Sequence, residues 1–74
     1  MDNNILMEII AESMDIEVDE LELSNNLSDY DEWDSLAVLT LMSFCNERVG
    51  KIPNVADVKK CVTVEDVLNI INSI

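Results

Sequence analysis

The sequence predicts an all-α fold, a small four-helix bundle with a long loop between helices 1 and 2 and a short third helix. Glycine and proline occur once each in the 74 residues, and aromatic residues make up only 4% of the chain. A sheet of this length would need more turn glycines and more aromatic side chains, so helices are favoured. The length provides for a single domain over residues 1–74.

Residues 3–14 carry the pattern of an amphipathic first helix. Their apolar side chains recur with the spacing of one helical face, and glutamates occupy the other side. The side chains predicted to face inward are Ile5, Leu6, Ile9, Ile10 and either Ser13 or Met14. Asp2 or Asn3 is expected to cap this helix.

Residues 15–34 form the long loop of the predicted bundle. Nine of the sixteen acidic residues lie here, and the helical period of apolar residues is lost. Connections of this length are uncommon in compact domains unless they are functional or disordered. Leu21, Leu23 and Leu27 are expected to pin the loop onto the core.

The acidic stretch DYDEWD, residues 29–34, raises the question of a calcium loop. An EF-hand needs oxygen ligands at alternate positions and a glycine at the sixth. Counting from Asp29, the fifth position is Trp33 and the sixth is Asp34, so the motif is absent and no metal ligand is assigned. Weak binding of divalent cations, which would relieve repulsion in the loop, stays an alternative.

The second helix is predicted over Ser35–Val49. Its inward stripe comprises Val38, Met42, Cys45 and Val49, with Leu41 at the edge. Thr40, Ser43 and Glu47 are expected on the opposite, solvent side, and Leu36 falls among these polar residues.

A glycine and a proline end the second helix and precede two further helices. The short third helix is predicted over residues 55–61 and the fourth over residues 64–74. Thr63 is expected to cap the fourth helix, and Asp66 three residues later makes a near capping box.

Sixteen acidic residues against four basic ones give a net charge of −12 at pH 7. Phosphate binding needs clustered lysine and arginine, so nucleic acid is a poor partner, and an anionic membrane surface is disfavoured for the same reason. A basic protein surface is the expected partner, because the long-range field would speed the encounter. We expect the chain to be a monomer.

The two cysteines, Cys45 and Cys61, lie in apolar stretches, and no signal peptide or membrane-spanning run is recognisable. Both are expected to be reduced, buried thiols, as is usual in a cytoplasmic protein. Without histidine, two cysteines cannot make an ordinary zinc site.

The residue content argues against an enzyme, and no catalytic residue is assigned. Histidine is absent, which removes the commonest general base and its pairs with a serine or cysteine nucleophile. The single glycine cannot form a phosphate-binding loop. Ser35 is therefore a candidate substrate rather than a catalyst. On local grounds it is an ordinary helix N-cap, worth about 1 kcal/mol over alanine.

The triplet Asp34-Ser35-Leu36 opens the second helix of an acidic four-helix chain, after a long leucine-anchored loop. This arrangement resembles the acyl carrier protein family over essentially the whole chain. The resemblance implies that Ser35 receives a 4′-phosphopantetheine arm from coenzyme A through a phosphopantetheinyl transferase. The thiol of the arm would then carry acyl or aminoacyl groups as thioesters between acyl-loading and acyl-transfer enzymes.

The resemblance also points to residues near Ser35 for partner recognition. These residues are Trp33, Asp34, Leu36, Thr40 and Glu47. Leu36 matches the apolar residue that partners touch in the family. Trp33 fits either an anchor that closes the loop over the bundle or a contact to a partner or to the arm, and both interpretations stay open.

Departures from familiar fatty-acid carriers favour a specialised pathway. Those carriers have a second helix rich in acids. Here the corresponding outward positions are Ala37, Thr40 and Asn46, and only Glu47 is acidic, beside Arg48. Trp33 also replaces the small residue that is common there.

A second hypothesis is an acidic, non-enzymatic adaptor or nucleic-acid mimic that binds a basic partner surface by charge alone. A mimic should spread its acids over a continuous face, whereas here they concentrate in residues 15–34. Partner binding that is unaffected by Ser35→Ala would favour this hypothesis.

Overall fold

Four α-helices and two single-turn 3₁₀ helices make up the computed structural model, which describes residues 2–74. The α-helices are α1 (Asn3–Ser13), α2 (Ser35–Arg48), α3 (Val55–Lys59) and α4 (Val64–Asn72), and the 3₁₀ turns are Val18–Glu20 and Leu27–Asp29. No β-strand forms within the described residues, whose only bridge joins Asn26 to Thr63. The prediction of an all-α bundle with a long first loop and a short third helix is confirmed.

Helix α1 begins and ends with identifiable caps. The Asp2 carboxylate accepts a hydrogen bond from Asn4 N at 2.9 Å, so Asp2 is the N-cap. At the other end the N–H of Ile16 donates to Ala11 O at 3.1 Å, while Asp15 adopts a left-handed backbone with φ of 56°. Helices commonly end this way, with glycine or asparagine at the left-handed position. Asp15 therefore carries backbone strain that glycine would not.

All four α-helices and the first loop contribute to one core. The fully buried large side chains are Leu6, Ile9, Ile10, Leu41, Cys45, Pro53, Val58, Val64 and Val67. This distribution means that no single helix can lose its apolar face without opening the core to water.

The buried face of α2 differs from the predicted stripe. Ala37 was expected to face outward but is only 2% exposed, and Leu41 is fully buried rather than at an edge. Val49, expected in the stripe, is half-buried and lies just beyond the helix. Because α2 packs against both α1 and α3, it buries a wider face than one stripe covers.

The long loop is held in place by leucine side chains and by backbone hydrogen bonds. Leu21 and Leu27 are buried as predicted, whereas Leu23 is 39% exposed, so that part of the prediction is wrong. Leu23 acts through its backbone, because its carbonyl accepts from Glu65 N at 3.1 Å, and the Asn25 carbonyl accepts from Val64 N at 3.1 Å. These N–H groups belong to the first turn of α4, where they have no intrahelical acceptor.

The Tyr30 side chain links separate parts of the loop by hydrogen bonds. Its hydroxyl donates to Glu20 O at 2.8 Å and accepts from Asn25 Nδ2 at 2.8 Å. One side chain thus joins the regions of both 3₁₀ turns, and the loop enters α2 along a defined path.

The two C-terminal helices are shorter than predicted. Helix α3 ends at Lys59, so Cys61 lies beyond it and is half-buried rather than buried. Helix α4 ends at Asn72, and Ile74 is 39% exposed.

The capping box of α4 is complete. Thr63 Oγ1 accepts from Asp66 N at 3.2 Å, and Asp66 Oδ2 accepts from Thr63 N at 3.1 Å. The backbone N–H groups of Thr63 and Val62, which donate to this carboxylate, lower the pKa of Asp66. The first turn of α4 also donates hydrogen bonds to the loop carbonyls of Leu23 and Asn25, so the capping box supports the loop as well.

None of the helices within residues 2–74 has the length and apolar content needed to cross a lipid bilayer.

Candidate functional site

Ser35 is the first residue of α2, and it is exposed. The N-cap is Asp34, whose carboxylate accepts from Ala37 N at 2.9 Å. The local prediction of Ser35 as the cap is therefore wrong, because the neighbouring aspartate already satisfies the amide that a capping serine would bind. Within the described residues Ser35 Oγ has no hydrogen-bond partner, so its hydroxyl is free for modification.

The surroundings of Ser35 Oγ fit a phosphodiester. The N–H groups of Ser35 and Leu36 belong to the first turn of a 14-residue helix and lack intrahelical acceptors. The positive end of the helix dipole lies at the same place, and both features stabilise an anion. The exposed hydroxyl also leaves room for a long substituent to extend into solvent.

Trp33, two residues before Ser35, and Leu36, the residue after it, have opposite environments. Trp33 is half-buried, packs against the core and donates its backbone N–H to Tyr30 O at 3.1 Å. Leu36 is 71% exposed despite its apolar side chain. Ser35 thus stands between a side chain that anchors the loop and one that projects into solvent.

Leu39 is an exposed side chain that the sequence reasoning did not assign to the site. It is 61% exposed and lies one turn after Leu36 on α2. Ala37 and Leu41 are buried on the inward face of α2, whereas Leu39 lies outside that face. Together Leu36 and Leu39 make a small apolar surface beside Ser35.

Thr40 and Glu47, the other two predicted recognition residues, lie apart. Thr40 is half-buried, and its hydroxyl donates to Leu36 O at 2.9 Å, so it lies close to the Ser35 turn. Glu47 is exposed at the far end of α2, twelve positions after Ser35 and about 18 Å from it along the helix. The structure therefore brings four of the five recognition residues to one end of α2 and leaves Glu47 at the other.

The C-terminal end of α2 is held by Arg48. Its guanidinium pairs with the Glu12 carboxylate of α1 and lies over the Phe44 ring, 4.5 Å from the centroid. This contact ties α2 to α1 and engages the one basic residue of the helix.

The two thiols of the chain are unreactive by environment. Burial raises the pKa of Cys45. Burial and the nearby carboxylates of Asp66 and Asp57 raise the pKa of Cys61 to about 11. Because the thiolate is the nucleophile, these raised pKa values lower the reactivity of both thiols at neutral pH.

A family model described as the phosphopantetheine attachment site matches residues 4–71, which include Ser35 and all four α-helices up to the last turn of α4. No curated protein and no solved structure matches the chain. Domains of this kind carry 4′-phosphopantetheine covalently and interact with phosphopantetheinyl transferases and acyl-handling enzymes. The match covers most of the sequence, so the chain belongs to the phosphopantetheine attachment site family, which includes the acyl carrier proteins.

Proposed function

We propose that residues 1–74 form a single acyl carrier domain in which Ser35 bears the 4′-phosphopantetheine. The thiol of that group would carry acyl or aminoacyl intermediates as thioesters between partner enzymes. The observation that carries the proposal is the exposed Ser35 hydroxyl, which is free of hydrogen bonds at the first turn of α2 because Asp34 does the capping.

Loading of Ser35 is a phosphoryl transfer in which the chain is the acceptor. Ser35 Oγ forms a bond to the phosphorus next to the pantetheine of coenzyme A. The pyrophosphate P–O bond breaks, and adenosine 3′,5′-bisphosphate leaves with the bonding electrons. The hydroxyl proton passes to a base on the transferase. The chain contributes the nucleophilic oxygen and helix amides that stabilise the new phosphodiester, and it has no catalytic role of its own.

The two cysteines support a role in thioester chemistry. A reactive thiolate on the carrier would compete with the arm for its acyl group by thiol exchange. Cys45 is fully buried, and Cys61 donates its S–H to Asp57 O at 3.4 Å. Both environments suppress that competition, and reduced thiols fit the cytoplasmic location that we propose.

The outward face of α2 supports a carrier for a specialised pathway. The helix has two charged residues, Glu47 and Arg48, and both lie in its last turn. Enzymes that recognise a second helix rich in acids would find little to bind here. Partners that use apolar contacts would meet Leu36 and Leu39, and we propose that Trp33, Asp34, Leu36, Thr40 and Glu47 contribute to recognition of a monomeric carrier.

The test is intact-mass measurement after incubation with coenzyme A and a broad-specificity phosphopantetheinyl transferase. The wild-type chain should gain one phosphopantetheinyl group, and Ser35→Ala should gain none. Ser43→Ala removes another exposed hydroxyl from α2 and should be loaded like the wild type. No mass gain on the wild type, or a gain that survives Ser35→Ala, contradicts the proposal and favours the acidic adaptor.

A further inference from the structure

A groove of about 270 Å³ lies between the end of α1 and the start of α2, directly beside Ser35. It is lined by Ser13, Met14, Asp15, Glu32, Asp34, Leu36, Ala37 and Thr40. Three of these side chains are carboxylates, and most of the others present carbon atoms. The groove is therefore an apolar cleft with an acidic rim.

The position of the groove indicates which partner covers it. Asp34 and Leu36, two of its lining residues, are the chain neighbours of Ser35. Acyl-handling enzymes act at the far end of the arm, at a distance from Ser35. The transferase acts on Ser35 Oγ itself, so its surface must contact Asp34 and Leu36 and thereby cover the groove that these two residues help to line.

The charge of the groove opposes the reaction unless the partner compensates for it. Coenzyme A brings its own phosphates to Ser35, next to the carboxylates of Asp15, Glu32 and Asp34. The four basic residues of the chain all lie between positions 48 and 60, and none of them lines the groove. Basic side chains on the transferase would compensate for the charge of the groove.

From this geometry we infer that the groove receives a lysine or arginine side chain of the phosphopantetheinyl transferase. The aliphatic part of such a side chain would pack on Leu36 while its charge lies among the carboxylates of Asp15 and Glu32. The inference rests on the proposed function, and it assigns charge recognition to the corner between α1 and the loop rather than to the length of α2.

Paired variants with equal net charge test the inference. Asp15→Asn with Glu32→Gln removes two of the three rim carboxylates and leaves Asp34, the N-cap, intact. Asp19→Asn with Glu22→Gln removes the same charge from exposed positions of the same loop that do not line the groove. The measurement is kcat and KM for arm transfer by a broad-specificity transferase, at low and high salt, with a melting temperature for each variant.

The pair Asp15→Asn with Glu32→Gln should raise KM by about tenfold at low salt, with kcat unchanged. The control pair, Asp19→Asn with Glu22→Gln, should change KM far less. The difference should shrink at high salt, because screening weakens the contact. Single variants serve if a paired variant fails to fold. Glu32→Lys should raise KM more than Glu32→Gln does, whereas Glu22→Lys and Glu22→Gln should change KM equally.

Equal KM changes in both pairs would overturn the inference in favour of net charge alone. No change in either pair, or a change confined to kcat and insensitive to salt, would overturn it as well. In each of these cases loading of the wild type at Ser35 would still support the proposed function, whereas failure of the wild type to accept the arm would refute that function itself.

Discussion

The loop at residues 15–34 and the outward face of α2 meet at Ser35, and they are built in opposite ways. The loop has nine acidic residues, yet its path is held by buried leucines, the Tyr30 hydroxyl and the start of α4. The face of α2 has regular helical geometry and exposes Leu36 and Leu39 to water. An irregular segment thus holds its position and the acidic charge, while a regular helix presents apolar side chains. Ser35, the proposed attachment site, lies where a partner could contact both.

A pair of leucine variants separates the two regions most strongly. Leu27→Ala in the loop removes a side chain that is 2% exposed, and it should destabilise the fold by about 2 to 5 kcal/mol. Leu36→Ala removes a 71% exposed side chain, and it should change stability by less than about 0.5 kcal/mol. Chemical denaturation of both variants measures these effects.

Arm transfer to the same two variants should show the reverse order. Leu36→Ala should raise the KM of the transferase by the equivalent of about 1 kcal/mol, because the lost contact belongs to the interface. Leu27→Ala, assayed where it stays folded, should leave KM unchanged. A stability loss in Leu36→Ala as large as that in Leu27→Ala would erase the distinction between the regions.

The boundary between loop and helix can be tested at its two adjacent polar residues. Asp34→Ala removes the bond to Ala37 N and should destabilise the fold by about 1 kcal/mol. Ser35→Ala should leave the free energy of unfolding unchanged, because that hydroxyl caps nothing. If urea titrations find the larger loss in Ser35→Ala, then the serine is the cap and its hydroxyl is not free.

The strained start of the loop offers a stabilising substitution. Asp15→Asn keeps the shape of a side chain that tolerates φ of 56° and removes one charge from the acidic segment, so it should stabilise the fold by about 0.5 kcal/mol. Asp19→Asn removes an equivalent charge where the backbone is unstrained, and it should have a smaller effect. Equal melting temperatures for the two variants would attribute the gain to charge alone.

A smaller effect is expected from pH at the junction of the loop with α4. The pKa of Asp66 is lowered in the folded state, so its stabilising effect is present above its ordinary value of 3.8 and is lost as pH falls below it. Stability measured between pH 5 and pH 2 should therefore fall more steeply for the wild type than for Asp66→Asn. Parallel curves would mean that the capping box does not support the junction.

The fold was predictable because α1 and α4 have clear apolar periodicity and ordinary caps. Thr63 and Asp66 occupy capping-box positions that can be recognised in the sequence, and the structure confirms the pair. The buried face of α2 was misplaced because two neighbouring helices cover it, and a wheel drawn for one helix does not show how many partners it has. Leu23 was misassigned for a related reason, since its backbone rather than its side chain holds the loop.

The site was only partly predictable. Asp34 and Ser35 are adjacent residues of equal capping preference, and only the backbone geometry shows that Asp34 takes the cap. The proposed role of Ser35 as an attachment site follows from the resemblance of the chain to a family, because a lone exposed serine has no chemistry that distinguishes it. The groove beside it joins residues from α1, the loop and α2, and no local pattern could have revealed it.

The central claim is that Ser35 is the attachment point of a carrier. The most direct test is the intact mass of the protein purified from its own host, followed by fragmentation of the peptide that contains Ser35. The account predicts a phosphopantetheinyl group on Ser35, with or without an acyl group on its thiol. A chain that carries no such group, or carries it on another residue, would contradict the claim.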